Sequence, residues 1–348
     1  MKAVVLHGKN DICYEEWPEP ILKTGTVKIH VKACGICGSD IPRVLGDSAH
    51  YYPIILGHEF SGCVTEVADD VDKIQVGDHV AGVPLLPCMK CDDCQQGNYS
   101  QCKHYSFIGS REQGGFADYV VIPADNVVKV DPTLPYEQVA LFEPCTVALH
   151  ALKVSSYKGG KRVAILGGGT IGLFALQWAK IYGASQVTVF GRSKEHLKIA
   201  AALGADTTIS TLDDNFMTEA MRVTEKKGFD YIYESAGSTI TMKLAFELAA
   251  NHAKICFIGT PTENLTFSPK LWENMNRKEF QLMGSWMSCS APFPGDEWKE
   301  TAHFFNTGQL RYVPEMFFAQ YPMDDVKKVF EQFHNKNKVK GRILLKNK

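Results

Sequence analysis

With 348 residues, 45% of them hydrophobic and 22% charged, the chain exceeds what one core supports, since cores tend to split beyond ~250–300 residues, and two domains are expected. This composition excludes intrinsic disorder and fibrous repeats. A formal charge of −2 excludes a nucleic-acid surface, because neutralising a phosphate backbone needs a basic face.

The N-terminal segment MKAVVLHGKND has only the short apolar run Ala3 to Leu6 before His7, too little for a signal segment or membrane anchor. A cytoplasmic location and no membrane partner are therefore expected. In a reducing compartment the eleven cysteines stay as thiols, and clustered thiols read more readily as metal ligands than as disulfides.

GICGSDIPR, Gly35 to Arg43, places Cys37 between two glycines and follows it with Ser39, Asp40, Pro42 and Arg43. LGHEFSG then supplies His58 and Glu59 between Gly57 and Gly62, and FEPCTVALHA supplies Glu143. A mixed thiolate, imidazole and carboxylate shell leaves zinc one exchangeable position, which suits catalysis. Taken singly, each residue has a plainer account: Cys37 as a small core side chain, His58 as a hydrogen-bonded interior residue, Glu59 and Glu143 as surface charge. The flanking glycines favour the site, because they let backbone approach closely. Asp40 is the expected partner of the His58 imidazole, since a metal-bound histidine usually donates its other N–H to a carboxylate.

PCMKCDDCQQGNYSQC sets Cys88, Cys91, Cys94 and Cys102 in a C-x2-C-x2-C-x7-C array. Loops this short can wrap four thiolates round one tetrahedral ion at about 2.3 Å per Zn–S bond, with no open position, so a zinc here is structural. An iron–sulfur cluster also takes four thiolates, and spacing leaves both open.

From Lys161 the pattern becomes KRVAILGGGTIGLFALQWAKIYGA. The apolar strand Val163 to Leu166 runs into Gly167-x-Gly169-x-x-Gly172, and a helix-period run follows from Ile171 to Tyr182. Strand before and helix after is the context in which this motif binds a dinucleotide: the glycines admit the pyrophosphate, and the first helical residues, Thr170 and Ile171, face the anion. Strand-like runs VTVF, TTIS, DYIYES, KICFIG and FQLMGS alternate with helical runs such as Lys194 to Leu203 and Thr239 to Ala249. Such alternation predicts a six-stranded parallel, doubly wound sheet. Where an NAD enzyme keeps an acid for the ribose 2′-hydroxyl, Gly191 stands, followed by Arg192, Ser193 and Lys194. A guanidinium beside a hydroxyl suits a 2′-phosphate, so NADP is favoured over NAD. A solvated basic turn is the competing account.

GICGSD, LGHEFSG, the four-cysteine lobe, GGFADYVVIP, FEPCTVALHA and LGGGTIG occur in the order seen in zinc-dependent medium-chain alcohol and polyol dehydrogenases. The chain resembles that family along essentially its whole length. The resemblance implies an α/β protein: a GroES-like, β-rich catalytic domain over residues 1–150 that resumes at 288–348, and a Rossmann domain over 151–287. It implies a catalytic zinc on Cys37, His58 and Glu59 with Glu143 beside it, a structural zinc on the lobe cysteines, and a homodimer or homotetramer. RVLGDSAHYYPIILGHEFSG, FIGSREQGGFADY and GSWMSCSAPFPGDEW look most like its polyol-phosphate branch, close to sorbitol dehydrogenase. The implied reaction is hydride transfer between a secondary alcohol of a polyol phosphate and a nicotinamide dinucleotide, with an unphosphorylated alcohol or polyol such as sorbitol as the alternative.

Two departures from the family pattern stand out. A relay histidine is frequent at the position of Pro42, and NAD-using members keep an aspartate at that of Gly191. With Pro42 in place, Ser39 is the expected first acceptor of the alcohol proton, passing it through water, a ribose hydroxyl or Glu59. Arg43 and Arg111 are candidates for a substrate phosphate, with ordinary salt bridges as the competing account. Lys340 and Arg342 are weaker candidates.

Overall fold

The structure, a computed structural model, describes residues 1–334, 339 and 341–347; Lys340 lies outside the described residues. They divide into two compact units, one of Met1–Glu143, Cys289–Gly308 and the described residues from Phe317 onward, the other of Pro144–Ser288 and Gln309–Met316.

In the first unit the organising element is the strand Thr26–Ile36, where Val27, Ile29 and Val31 alternate with Lys28, His30 and Lys32. That period of two puts the apolar set on one face. Its neighbours are the strands Glu59–Val67 and Tyr119–Pro123, and, near its C-terminal end, Arg342–Lys346. Val27, Ile29, Val31, Phe60, Val64, Phe116, Ile343 and Leu345 fill the core between these strands, each such side chain contributing about 1.5–3 kcal/mol of burial. In this register Gly35 lies opposite Glu59 on one side and Leu344 on the other. Cys37 just after one strand, His58 just before the second and Arg342 opening the third are thereby gathered at one end of the sheet.

The second unit is built on six parallel strands in the order Thr207–Ser210, Gln186–Gly191, Arg162–Leu166, Phe229–Glu234, Ala249–Phe257, Gln281–Gly284. Val163 to Leu166 are fully buried, as expected for a parallel strand covered on both faces. The order reverses at Arg162–Leu166, which opens a crevice at the carboxyl ends of the strands. Helix Thr170–Ile181 starts there. One boundary differs from the sequence pattern: helix Thr239–Leu248 stops a residue early because Ala249 turns extended and pairs with Phe229. Sheet pairing overrides the helical preference of alanine at that position. No helix among the described residues is long and apolar enough to cross a membrane.

Candidate active site

Cys37, His58 and Glu59 present ligand atoms that all lie within 4.8 Å of one another. The sheet register explains how residues so far apart in sequence meet. Gly35 is required by it: a Cβ there would stand 2.4 Å from Glu59 Oε2 and 3.5 Å from Arg342 Cδ. The Glu59 side chain thus lies back over Gly35 and meets the Arg342 guanidinium in an ion pair in which Glu59 is fully buried. Sequence reasoning assigns Arg342 at most to a substrate phosphate; the fold sets it behind a candidate metal ligand instead. Its signal, a lone arginine opening the last strand, is invisible until that strand is paired.

Asp40 is fully buried and serves three groups. It accepts from the Cys37 backbone N–H at 3.0 Å and from Arg43 Nη1 at 3.2 Å, and its Oδ1 stands 3.7 Å from His58 Nδ1. The last separation is an ion-pair distance, longer than a hydrogen bond. His58 Nε2 points the other way, 4.0 Å from Glu59 Oε1. One ring nitrogen toward a carboxylate and the other toward thiolate and carboxylate is the arrangement of a metal-bound imidazole.

The electrostatics agree with a cation site. Burial works to lower the His58 pKa, but Asp40, then Cys37 and Glu143, raise it to about 9. Burial works to raise that of Cys37, yet the charge and hydrogen bond of His58, with Arg342, bring it down to about 6. Burial pushes Glu143 up to about 7 against the pull of His58, with Cys37 and Asp40 adding to the rise. Glu143 therefore faces this cluster electrostatically, although its oxygens are not among the atoms within 4.8 Å. A divalent cation would take the place of the His58 proton, so its binding releases that proton. Glu59 Oε1, the oxygen on the His58 Nε2 side, is buried without a hydrogen-bond partner, the condition an ion would relieve.

The four lobe cysteines form the second cluster, again with all ligand atoms within 4.8 Å. Cys88 and Cys94 sulfurs are 4.0 Å apart and those of Cys91 and Cys102 3.9 Å; a tetrahedron of Zn–S bonds needs edges of about 3.8 Å. Without a cation the thiols would differ in charge. N–H groups of Cys94 and Lys103 draw Cys91 down to about 6, whereas burial pushes Cys94 up to about 12. Four simultaneous thiolates need a cation among them. The lobe is tied to the chain that re-enters this unit, since Ser100 Oγ and the Cys289 backbone exchange hydrogen bonds at 3.4 Å.

In the second unit Gly167 has φ +114°, and a Cβ on Gly172 would stand 1.9 Å from the Gly167 carbonyl oxygen. The turn thus admits no side chain at the helix entry. Gly169 is the N-cap, and Thr170 and Ile171 open the helix, where backbone N–H groups lack intrahelical acceptors. Gly191 lies beside this loop, its Cβ position 3.8 Å from the Gly168 nitrogen. Arg192 and Lys194 are exposed. Ser193 is partly used: its Oγ accepts from the His196 N–H at 3.3 Å as a helix cap and donates to Glu195 Oε2 at 2.8 Å.

Arg43 and Arg111 sit in the first unit. Arg43 Nη1 donates to Ser39 Oγ at 2.9 Å as well as to Asp40, while Arg111 stacks 4.5 Å over the Tyr105 ring and donates to its hydroxyl at 3.4 Å.

Comparison with known proteins gives a consistent result. The family model "Alcohol dehydrogenase GroES-like domain" matches residues 23–132, and the family model "Zinc-binding dehydrogenase" matches residues 170–307. Galactitol 1-phosphate 5-dehydrogenase of Escherichia coli (strain K12) is 40% identical over 315 residues, 90% of this chain and 91% of that protein. Sorbitol dehydrogenase of Bacillus subtilis (strain 168) is 33% identical over 269 residues, 76% of each. The crystal structure of galactitol-1-phosphate dehydrogenase from Escherichia coli matches with a TM-score of 0.93 at 37% identity, covering 99% of both chains.

Proposed function

The chain belongs to the zinc-binding medium-chain alcohol and polyol dehydrogenases and is an oxidoreductase, and from that premise we propose that it oxidises a secondary alcohol of a polyol phosphate, galactitol 1-phosphate or a close relative, with NADP. The observation that carries the phosphate is Arg43, a permanent cation held 2.9 Å from the proposed proton acceptor Ser39. Cys37, His58 and Glu59 would hold the catalytic zinc, with Glu143 facing it, and the lobe cysteines a structural one. Zinc, when bound, supplies Lewis acidity that lowers the pKa of the alcohol, and the nicotinamide supplies the hydride acceptor. Ser39 Oγ accepts the hydroxyl proton as it hands its own proton onward, so the serine stays neutral. Arg43, donating to Ser39 Oγ, fixes the orientation of that hydroxyl and favours release of its own proton. Glu59, paired with Arg342, is kept ionised; water or a ribose hydroxyl is then the better onward route for the proton. A polyol brings neighbouring hydroxyls of its own, which is how Pro42 can replace a relay imidazole.

A second reading, an unphosphorylated polyol, is favoured by the partners that Arg43 and Arg111 already have in Asp40 and Tyr105 and by the likeness to a sorbitol dehydrogenase. One panel separates the two: free and phosphorylated polyols, each with NAD and NADP, on wild type and Arg192→Ala. The phosphorylated substrate with NADP should give the highest kcat/KM in wild type. Arg192→Ala should weaken NADP roughly tenfold to a hundredfold relative to NAD, the loss of one charge-assisted contact. Higher kcat/KM for a free polyol than for every phosphorylated one would remove the phosphate reading, and an Arg192→Ala enzyme with unaltered cofactor preference would remove the NADP reading.

A homodimer or homotetramer fits the second unit. The strand Gln281–Gly284 pairs only with Ala249–Phe257 among the described strands, and Leu282 and the nearby Trp286 are exposed. An open, partly apolar edge invites pairing. A monomer at working concentration in sedimentation equilibrium would rule this out. The eleven cysteines, all free, support a cytoplasmic, reducing setting.

A further inference from the structure

We propose that Glu234 is a positioning residue for the dinucleotide: its carboxylate gathers the donors of the loop that follows it and so sets the second wall of the cofactor crevice. The inference rests on the dinucleotide reading above, but neither on NADP over NAD nor on a phosphorylated substrate. It adds a residue that neither the motifs nor the metal geometry single out.

Strand order places it. Arg162–Leu166 and Phe229–Glu234 are the two neighbours between which the order reverses, and a ligand of such a sheet lies between the loops that leave their carboxyl ends. One of those loops is the glycine turn; the other, residues 235–238, starts from Glu234 and leads into helix Thr239–Leu248. The two loops touch. Ser235 N–H donates to the Leu166 carbonyl at 2.9 Å, and its Oγ donates to the same carbonyl at 3.2 Å and to that of Gly167 at 3.4 Å. A Cβ on Gly167 would stand 2.9 Å from Ser235 Oγ and 3.1 Å from the Ala236 nitrogen. The seat of the glycine turn therefore depends on where residues 235–237 lie.

Glu234 fixes that position. Its side chain is fully buried and turns back under its own loop, where Oε1 accepts from the Ala236 N–H at 2.9 Å, the Gly237 N–H at 3.0 Å and Thr241 Oγ1 at 2.7 Å. Three donors on one buried oxygen hold a loop more firmly than any single neutral bond, because each is assisted by the charge. The Glu234 carbonyl meanwhile accepts from the Ile258 and Gly259 N–H groups at 2.8 and 3.0 Å, which ties the end of the next strand to the same residue. A Cβ on Gly259 would stand 2.8 Å from Glu234 Oε2, so the chain there is closed against the carboxylate. Burial pushes the Glu234 pKa up, and the Thr241 hydroxyl and the two N–H groups pull against it. The charge and the form of the loop thus support one another.

The test is direct cofactor binding. NADH and NADPH are titrated by nicotinamide fluorescence against wild type, Glu234→Ala, Glu234→Gln and Thr241→Val, with zinc content and kcat at saturating cofactor measured beside them. Glu234→Ala should weaken the cofactor that wild type binds better by roughly tenfold to a hundredfold, since the loop loses its charged acceptor. Glu234→Gln keeps one carbonyl acceptor and Thr241→Val keeps the carboxylate while removing one donor, so each should weaken it by about threefold to tenfold. Zinc content should stay at the wild-type value, and kcat at saturation should change far less than Kd. A purely structural role would lower the unfolding temperature and leave the Kd of the folded protein where it was. Should Glu234→Ala fail to fold, the other two variants decide. Wild-type Kd in both Glu234→Gln and Thr241→Val overturns the role of Glu234 and spares the dinucleotide reading. A wild type that binds neither NADH nor NADPH overturns both.

Discussion

Replacing Cys37 by serine should cost one of the two expected zinc ions and nearly all turnover. The candidate ligand atoms of Cys37, His58 and Glu59 lie within 4.8 Å, and removing the thiolate leaves an imidazole and a carboxylate that is already committed to Arg342. Serine keeps the size of cysteine, but its hydroxyl is a poor zinc ligand at neutral pH. Lewis-acid stabilisation is worth several kcal/mol, so a fall in kcat/KM of about a thousandfold or more is expected. Elemental analysis should find the lobe zinc retained, because its four sulfurs belong to a separate cluster. The same asymmetry should appear on chelation of wild type: the site with an open position loses metal first, and activity goes with it. A Cys37→Ser enzyme with wild-type turnover and only lobe zinc would defeat the assignment.

The second large effect is on stability. Arg342→Met removes the partner of a fully buried carboxylate, and breaking a buried pair from one side typically costs about 3–5 kcal/mol, because the remaining charge is left in a poor solvent. The loss should show as a lower denaturant midpoint, and it should be larger in chelator-treated protein, where Glu59 has no metal to turn to. Glu59→Gln added to Arg342→Met should recover part of the loss, since no net charge then remains buried. If Arg342→Met alone shifted stability by less than about 1 kcal/mol in both forms, the pair would be a contact without energetic weight.

The lobe and the glycine turn are legible in the sequence because each is local. Four cysteines on one short segment can reach one ion without help from the rest of the fold, and the strand, glycine turn and helix of Val163 to Tyr182 write their own geometry. The six parallel strands follow from apolar runs separated by helical periods. The mixed ligand set is visible only as residue types flanked by glycine, and it is the resemblance to a family that joins Cys37, His58, Glu59 and Glu143 into one expectation.

What the sequence by itself determined is thus the chemistry available and the two kinds of unit that carry it. What tertiary structure decided is which of those groups are spent on each other. Asp40 is divided among the Cys37 backbone, Arg43 and His58, and Glu59 is claimed by an arginine 283 positions later in the chain. The reason is physical: these contacts run between strands and loops whose register is set by burial of Val27, Ile29, Phe60 and Ile343, and a one-residue slip in that register would turn every side chain to the other face. No local pattern in the sequence records a register that exists only once three distant strands have packed.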